Sequence, residues 1–278
     1  MSVLVLTLLV FAGSAIAGLL GALTGLGGGV VLVPLLTLVF HVDLRYAIGA
    51  SLISVIATSS GAAAAYVREG YSNVRIGMFL EVATTLGALV GAFLAARVPS
   101  RGLAVIFGAV LIYSAWLSWH GDPEDVEMKA NPWSENLGLS GNYPGALGKT
   151  ITYTVDRIPA GFAMMFGAGT LSGLLGIGSG AIKVLAMDRI MRIPFKVSTT
   201  TSNFMIGVTA AASAGIYLKR GYVDPGLAAP VMLGVLVGSL AGARMLARTR
   251  VAILRAVFAV VILFLGVEMI ASGWSGRL

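Results

Sequence analysis

The chain has 278 residues, of which 57% are hydrophobic and only 11% are charged, and its formal net charge is +7. Soluble domains carry about 25% charged residues, so this composition excludes a soluble enzyme, a disordered chain and a nucleic-acid-binding domain. It predicts an all-α, polytopic integral membrane protein, because lipid offers no water to satisfy open backbone groups. Cysteine is absent, which excludes disulfides and thiolate metal sites. We expect no cofactor, no bound metal and no nucleic-acid partner.

The predicted helices follow the apolar runs of the chain. They cover 3–24, 28–40, 46–67, 75–97 and 102–119, and then 159–175, 181–191, 197–218, 226–248 and 252–272. The first run resembles a signal peptide, but no basic residue precedes it and it continues to Leu23, which favours a retained transmembrane helix. The long runs fit the roughly 20 residues that span a bilayer. Runs 28–40 and 181–191 are short, which predicts a tilted short helix or half of a re-entrant hairpin.

The sequence reads as two similar halves. When Gly29 is placed on Gly180, the halves align without a gap. The matched pairs include Ser51 and Ser202, Thr58 and Thr209, Tyr66 and Tyr217, Tyr71 and Tyr222, and Arg97 and Arg248. This pattern indicates a duplication, with a first transmembrane repeat at 1–119 and a second at 158–278. Acidic residues and prolines between them predict a polar, solvated linker at 120–157, which could include a short surface helix.

The relative orientation of the two repeats depends on the glycine clusters. If the chain turns back at each cluster, each repeat crosses the membrane an odd number of times and the repeats are inverted. If each cluster only interrupts one continuous span, the repeats are parallel. The inverted arrangement collects most loop cations on one face, that of Arg189, Arg192, Lys196, Arg248 and Arg250. We therefore predict inverted repeats, with that face cytoplasmic and both chain ends on the opposite side.

The glycine clusters are candidate binding elements. The first holds Gly25, Gly27, Gly28 and Gly29, and the second holds Gly176, Gly178, Ser179 and Gly180. A break inside the membrane exposes the N–H groups that begin the next helix, and these suit an anion. Two such ends meeting near the midplane would form one site. Close helix packing is the alternative, and we assign it to Gly87 and Gly91 and to Gly238 and Gly242. No Lys-Ser/Thr pair follows the glycines, which excludes a phosphate-binding P-loop.

Polar residues near the clusters extend the predicted site. Lys183 lies three residues after Gly180 in an apolar segment, where it could neutralise an anion or reach out to the membrane interface; Leu32 is its counterpart. Neutral hydrogen-bond donors follow in Thr200, Thr201, Ser202 and Asn203, with Ser51 from the first repeat. Their alternative role is helix capping and interhelical hydrogen bonding. Two carboxylates in apolar runs, Glu81 and Glu268, could carry a coupling proton or be ion-paired.

The glycine clusters and the two-fold layout resemble the sulfite exporter TauE/SafE family. The strongest match is Gly25-Leu26-Gly27-Gly28-Gly29-Val30 leading to Val33-Pro34-Leu35. The second copy, Gly176-Ile177-Gly178-Ser179-Gly180, has Ser179 in place of a glycine and Leu185 in place of the proline. The resemblance covers nearly all of the chain outside the linker. It implies transport of sulfur-containing anions such as sulfite, thiosulfate or organosulfonates across the cytoplasmic membrane.

We therefore expect a secondary transporter with alternating access at a midplane site, and not an enzyme. Glu81 is the candidate coupling group. No nucleotide-binding motif is present, so a gradient or a partner would have to drive transport. An anion channel, a transporter of an unrelated small anion and a non-transporting scaffold stay as alternatives, and homo-oligomerisation is left open.

Overall fold

The computed structural model describes residues 3–24, 28–68, 72–119, 134, 137–144, 150–246 and 251–275. Within these ranges the chain forms ten α-helices and one β-hairpin. The helices are α1 (Val3–Thr24), α2 (Gly29–Pro34), α3 (Leu44–Arg68), α4 (Val74–Ala95), α5 (Ser100–Trp119), α6 (Ile158–Leu175), α7 (Gly180–Leu185), α8 (Phe195–Lys219), α9 (Pro225–Leu246) and α10 (Val251–Ser275). One π-helical turn extends each short helix, Leu35–Val39 after α2 and Ala186–Ile190 after α7. The same order of elements therefore occurs twice.

The helices are long and apolar enough for a protein that crosses the membrane several times. Four stretches among the described residues qualify as full spans, namely Leu4–Gly21, Val74–Ala95, Ile158–Leu175 and Pro225–Gly242. Shorter apolar helices cover Gly29–Val39, Leu44–Ser60, Ser100–Trp116 and Ala259–Ser275. Large apolar side chains such as Leu4, Phe264 and Trp274 point outward, which is the arrangement that lipid favours. The prediction of a polytopic, helical membrane protein is confirmed.

The chain turns back at both glycine clusters. In the first repeat, Gly28 packs against Gly18 of α1, while Gly13, further back in the middle of α1, lies beside Leu35 and Phe40. In the second repeat, Gly161 at the start of α6 lies beside Met191, which follows the π-helical turn. Each short helix thus runs antiparallel to the long helix before it, and the alternative of one continuous broken span is wrong.

The tightest helix pairs join one repeat to the other. Helix α4 packs along α6, and the equivalent α9 packs along α1. A Cβ atom added to Gly87 would overlap the carbonyl oxygen of Phe166, and one added to Gly238 would overlap that of Ala15. Because Gly87 matches Gly238 and Phe166 matches Ala15 in the alignment, the two contacts are equivalent. The predicted packing role is confirmed for these glycines, and Gly91 packs in the same way against Thr170.

Two further pairs bring equivalent helices together in antiparallel fashion. Gly108 of α5 lies beside Gly266 and Ile270 of α10, and Gly273 of α10 lies beside Arg101 and Ala104 of α5. Likewise α3 packs on α8, where Gly207 meets Ser59. Gly49 near the start of α3 lies beside Tyr222, just after the end of α8. In both pairs, a helix and its repeat equivalent therefore run in opposite directions.

The packing divides eight of the helices into two bundles. Helices α1, α2, α3 and α9 contact one another (the α1 bundle), and α4, α6, α7 and α8 do the same (the α4 bundle). Each bundle takes one helix, α9 or α4, from the other repeat. A methionine-rich apolar cluster lies within the α4 bundle and includes Met165, Met187 and Met205. The larger apolar cluster joins the α1 bundle to α5 and α10.

Sequence analysis did not predict the β-hairpin, which lies in the segment 120–157. Strand β1 (Gly141–Pro144) pairs antiparallel with β2 (Thr150–Tyr153). Leu139, Tyr153 and Val155 are buried in the methionine-rich cluster, whereas Asn142, Ile151 and Thr152 are exposed, so one side of the hairpin is packed and the other is solvated. Residues 120–133, 135–136 and 145–149 lie outside the described residues, and the division into repeat, linker and repeat stays a prediction.

One side chain ties the hairpin to the start of α4. Asn73 caps α4 by accepting a hydrogen bond from the Ile76 N–H (3.1 Å), and its amide nitrogen donates to the Tyr153 hydroxyl (2.7 Å). Burial raises the pKa of Tyr153 above its usual value, and the Asn73 hydrogen bond opposes this shift. The phenol therefore stays neutral and holds the hairpin against the helix.

Candidate functional site

The two glycine turns meet at Ser51, which lies in the first third of α3. The Ser51 hydroxyl donates a hydrogen bond to the carbonyl oxygen of Gly176 (2.8 Å), and Ser51 is fully buried. A Cβ atom added to Gly29 would lie 2.7 Å from the Ser51 oxygen and 3.1 Å from the Gly176 oxygen. Only glycine fits there, because the backbones of the two turns approach so closely. Gly25 and Gly27 of the first cluster lie outside the described residues.

The second turn is built from left-handed backbone. Gly176 and Gly178 have φ angles of 68° and 70°, and Ser179 has 48°. A left-handed conformation is uncommon for a residue other than glycine, and it marks local strain. Ser179 is buried, and its hydroxyl has no hydrogen-bond partner in the described part of the chain. The turn therefore presents a buried, unused polar atom directly before α7.

Helix α7 begins at this turn. Its first α-helical hydrogen bond runs from the Lys183 N–H to the Ser179 carbonyl (3.0 Å). The three N–H groups before Lys183 therefore lie outside the α-helical hydrogen-bond pattern. The Ser202 hydroxyl of α8 donates to the Gly180 carbonyl (3.3 Å). Ser202 and its equivalent Ser51 thus both bond to the second turn, one from each repeat.

The other predicted donors point elsewhere in this arrangement. The Thr200 hydroxyl donates to the Val197 carbonyl of its own helix (3.2 Å). The Thr201 hydroxyl accepts from the Asn73 N–H (3.0 Å) at the start of α4. Asn203 is half-buried. Of the run from Thr200 to Asn203, Ser202 is the residue that the structure brings to the glycine turns.

Two of the glycines serve packing in this arrangement. A Cβ atom on Gly28 would lie 3.0 Å from Val235 of α9 and 3.5 Å from Gly18 of α1. A Cβ atom on Gly178 would lie 2.7 Å from the side chain of Ile206 in α8. A larger residue at Gly28 would require Val235 to shift, and at Gly178 both the close contact and the left-handed backbone disfavour one. Whether any of these residues contacts a substrate stays a prediction.

Lys183 is the most unusual residue of the site, because it is a completely buried cation. Its ammonium group donates to the Thr209 hydroxyl (2.5 Å), and that hydroxyl lies 2.7 Å from Oε1 of Glu81, to which it can donate. Thr85 also donates to Oε1 (3.1 Å). The alternative that Lys183 reaches the membrane interface is wrong. We refer to Lys183, Thr209 and Glu81 as the polar triad.

The polar triad joins three helices of the α4 bundle and both repeats. Lys183 comes from α7 and Thr209 from α8, whereas Glu81 comes from α4. Sequence analysis named Lys183 and Glu81 separately and missed the residue that connects them. A signal was present, since Thr209 is matched by Thr58 in the alignment of the two repeats. Oε2 of Glu81 is buried and has no partner among the residues that the structure describes.

The residues of this site are suited to binding a ligand rather than to catalysing a reaction. A buried cation, hydroxyl donors and strained backbone turns can hold an anion, and the ends of both turns are within reach of each other. No group of three or more His, Cys, Asp or Glu side chains that could hold a metal ion occurs within the described ranges.

Comparison with known proteins places this arrangement in a family. The family model described as sulfite exporter TauE/SafE matches residues 10–269. The chain is 30% identical over 270 residues to the "Probable membrane transporter protein YunE" of Bacillus subtilis (strain 168), covering 93% of this chain and 95% of that protein. It is 27% identical to "Probable membrane transporter protein YdhB" of the same organism, covering 82% of this chain and 85% of the relative. A "Probable membrane transporter protein" of Xylella fastidiosa (strain 9a5c) is 24% identical over 93% of this chain and 94% of its own length.

No solved structure matches the chain significantly. The family description and the relatives' names agree on membrane transport, and sulfite export implies an anionic substrate. The chain belongs to the sulfite exporter TauE/SafE family, and it is a multi-pass membrane transporter rather than an enzyme.

Proposed function

We propose that the chain is a secondary transporter that moves a small sulfur-containing oxyanion, such as sulfite, thiosulfate or an organosulfonate, across the cytoplasmic membrane. The observation that carries this proposal is the meeting of the two glycine turns at Ser51, together with the fully buried Lys183 three residues after Gly180. The family supports the anion class. A buried cation in a membrane protein is costly and marks an ion or substrate pathway by default.

The proposed binding residues line the two turns. Lys183 supplies the positive charge, and Ser51, Ser179 and Ser202 supply hydroxyl donors. Backbone N–H groups come from the turns at Gly25, Gly27, Gly28 and Gly29 and at Gly176, Gly178 and Gly180. Thr200, Thr201 and Asn203 complete the shell once α8 moves relative to α4. Glu81 acts in coupling.

The course of the helices supports an inverted orientation of the repeats. Helices α5 and α10 are repeat equivalents and run antiparallel, and so are α3 and α8. A two-fold axis parallel to the helices would leave equivalent helices parallel. We therefore place the axis in the membrane plane, as in inverted-repeat transporters. The loop cations then put the face of Arg189, Arg192 and Lys196 in the cytoplasm.

Alternating access in this protein would move the α1 bundle against the α4 bundle. A rocking of the two sequence repeats does not fit the packing, because the tightest helix pairs, α1 with α9 and α4 with α6, each cross between repeats. The bundles meet along α3 and α8, where Ser51 reaches the Gly176 carbonyl. If α3 and α8 slide along each other at this contact, the glycine turns would become accessible from one face of the membrane at a time.

The burial of the site fits a carrier and a closed anion channel alike. Lys183, Ser51 and Ser202 are each fully buried, so the arrangement is closed. A channel in its closed form would share this feature, and transport kinetics separate the two. Saturable uptake with counterflow identifies a carrier.

The test is uptake of labelled sulfite into proteoliposomes that contain the purified protein, in competition with thiosulfate, sulfate and a sulfonate. We expect saturable sulfite uptake and counterflow, blocked by some competitors. Lys183→Met should reduce uptake by tenfold or more, whereas Leu32→Met at the equivalent position should leave it nearly unchanged. Lys183→Met that transports like the wild type removes Lys183 from the site. A folded protein that moves none of the four anions contradicts the proposed substrate class.

A further inference from the structure

We propose that Glu81 and the substrate anion alternate as the counter-charge of Lys183, so that one monovalent anion crosses with one proton in an electroneutral step. This inference rests on the proposed function and deepens it, since it names the charge of the substrate and the coupling ion.

The first step of the argument is that the charge of Lys183 has to be balanced inside the protein. A buried cation without a counter-charge is strongly unfavourable in a low-dielectric environment. In the structure, the balance comes from Glu81 through the Thr209 hydroxyl. The ammonium and carboxylate groups are thus joined by one hydroxyl and not in direct contact.

Other titratable residues on the surrounding helices lie away from the triad. Helix α6 contains none between Ile158 and Leu175, and α8 carries Lys196, Tyr217 and Lys219 near its ends. The Tyr217 hydroxyl donates to the Gly173 carbonyl. On α4, the Arg75 guanidinium lies at the first turn and donates to the Gly138 carbonyl. On the turn after α7, Asp188 pairs with Arg189. Glu81 is therefore the counter-charge that the described residues offer to Lys183.

The second step is that the link can be released without leaving the bridging hydroxyl unsatisfied. The Thr209 oxygen lies 2.7 Å from Glu81 Oε1 and 2.9 Å from the Met205 carbonyl, and its single proton can go to either acceptor. When Glu81 is ionised, the hydroxyl donates to it. When Glu81 takes a proton, the hydroxyl can turn to Met205. Oε2 of Glu81, which is buried without a partner among the described residues, is an atom free to receive that proton.

The third step is charge balance across the transport cycle. In the empty protein, Lys183 and ionised Glu81 sum to zero. In the loaded protein, a monovalent anion faces Lys183, and Glu81 has become a neutral carboxylic acid by taking one proton, so the sum is again zero. Both forms can then change access without carrying net charge through the bilayer. A divalent anion would leave one negative charge uncompensated, so the site favours hydrogen sulfite or a sulfonate over sulfate.

The probe should be an anion whose own charge does not change with pH. Labelled methanesulfonate meets this condition, and proteoliposomes with potassium and valinomycin hold the membrane potential fixed. With the outside made acidic, we expect wild-type protein to accumulate the anion about tenfold for each pH unit of gradient, because one proton enters with each anion. Changing the clamped potential should leave the accumulation unchanged.

Two variants distinguish proton coupling from anion binding. Glu81→Gln should keep exchange of internal for external anion within a few fold of wild type, but it should lose the accumulation driven by the pH gradient. Glu268→Gln is the matched control, since Glu268 is exposed on α10 and away from the triad; it should accumulate the anion like wild type. A Glu81→Gln variant that still accumulates the anion overturns the proposal.

A second measurement needs no variant. A pH-sensitive dye inside the vesicles should record one proton entering per anion in the wild-type protein. Anion exchange without proton uptake, or accumulation that follows the membrane potential, overturns the coupling proposal and leaves the proposed function standing. Absence of exchange for methanesulfonate and for sulfite alike means instead that the proposed function has failed.

Discussion

The polar triad and its repeat equivalent show how two copies of one scaffold have diverged. Lys183, Thr209 and Glu81 are linked across three helices, whereas the equivalent positions hold Leu32, Thr58 and Met232. Leu32 is fully buried in the larger apolar cluster. The Thr58 hydroxyl bonds to carbonyls of its own helix, including that of Ser54 (3.1 Å).

This difference between the repeats indicates which residues are needed for folding. The apolar version of these positions packs within the same helix arrangement, so the scaffold does not need charges there. Burying two charges costs free energy that well-packed apolar residues would avoid. The triad is therefore a candidate for a role in transport. The following changes test whether the triad and its repeat equivalent are alike in structure and different in function.

The largest expected effect comes from the packing that both sides share. Gly87→Val and Gly238→Val should each lower the free energy of unfolding by roughly 3 kcal/mol, because the added side chain collides with the backbone carbonyl of Phe166 or Ala15. Unfolding in mixed micelles would measure both.

Gly167 provides a control for these substitutions, since no atom lies within 4 Å of a Cβ atom added there. Gly167→Val should have a much smaller effect than either variant. If only one of the two equivalent glycines proves sensitive, the packing of α4 on α6 and of α9 on α1 is not equivalent in the folded protein.

A smaller effect, confined to transport, is expected from the bridging hydroxyl. Thr209→Val keeps the shape of the side chain and removes the atom that joins Lys183 to Glu81. Loss of a hydrogen bond to charged groups costs about 1.5–3 kcal/mol, so sulfite uptake should fall by roughly tenfold or more.

Thr58→Val is the matched change on the other side. Its hydroxyl bonds only within α3 among the contacts found for it, so uptake should change by less than about twofold. Equal losses in both variants would mean that the triad has no special role, and that hydroxyls at these positions serve the helices alone.

The smallest effect concerns the contact between the glycine turns. Ser51→Ala removes the hydrogen bond to the Gly176 carbonyl (2.8 Å) and should lower the free energy of unfolding by about 1 kcal/mol. Ser54→Ala, one turn further along α3, removes only a bond to the Ala50 carbonyl of the same helix. It should cost less, and thermal unfolding of the two variants would rank them.

Sequence reasoning worked where the signal is local. Apolar runs of about 20 residues located the helices, because a bilayer imposes that length on any span. The repeated glycines at Gly87 and Gly238 correctly indicated close packing, whereas the short runs after the glycine clusters left a tilted helix and a re-entrant hairpin open. Lys183 stood out because a charge inside an apolar segment needs a reason.

What escaped prediction depends on contacts between distant residues. Membrane helices are apolar on most sides, so periodicity does not reveal that α1 packs against α9 or that Thr209 lies between Lys183 and Glu81. The direction of Thr201 toward Asn73 is likewise set by the placement of α4. The hairpin was missed because its strands are only four residues each and because β1 contains Gly, Asn and Pro, which are depleted in strands.

The exchange of α4 and α9 between bundles has a consequence for biosynthesis. Helix α1 is made first, yet its main partner α9 begins only at Pro225. At about 5–20 residues per second, the ribosome needs on the order of ten seconds or more to supply that partner. Until then α1 has to persist in lipid without its main partner, and it is the most apolar of the four full spans found among the described residues. The apolar sequence of α1 thus suits a helix in the membrane during synthesis as well as in the folded transporter.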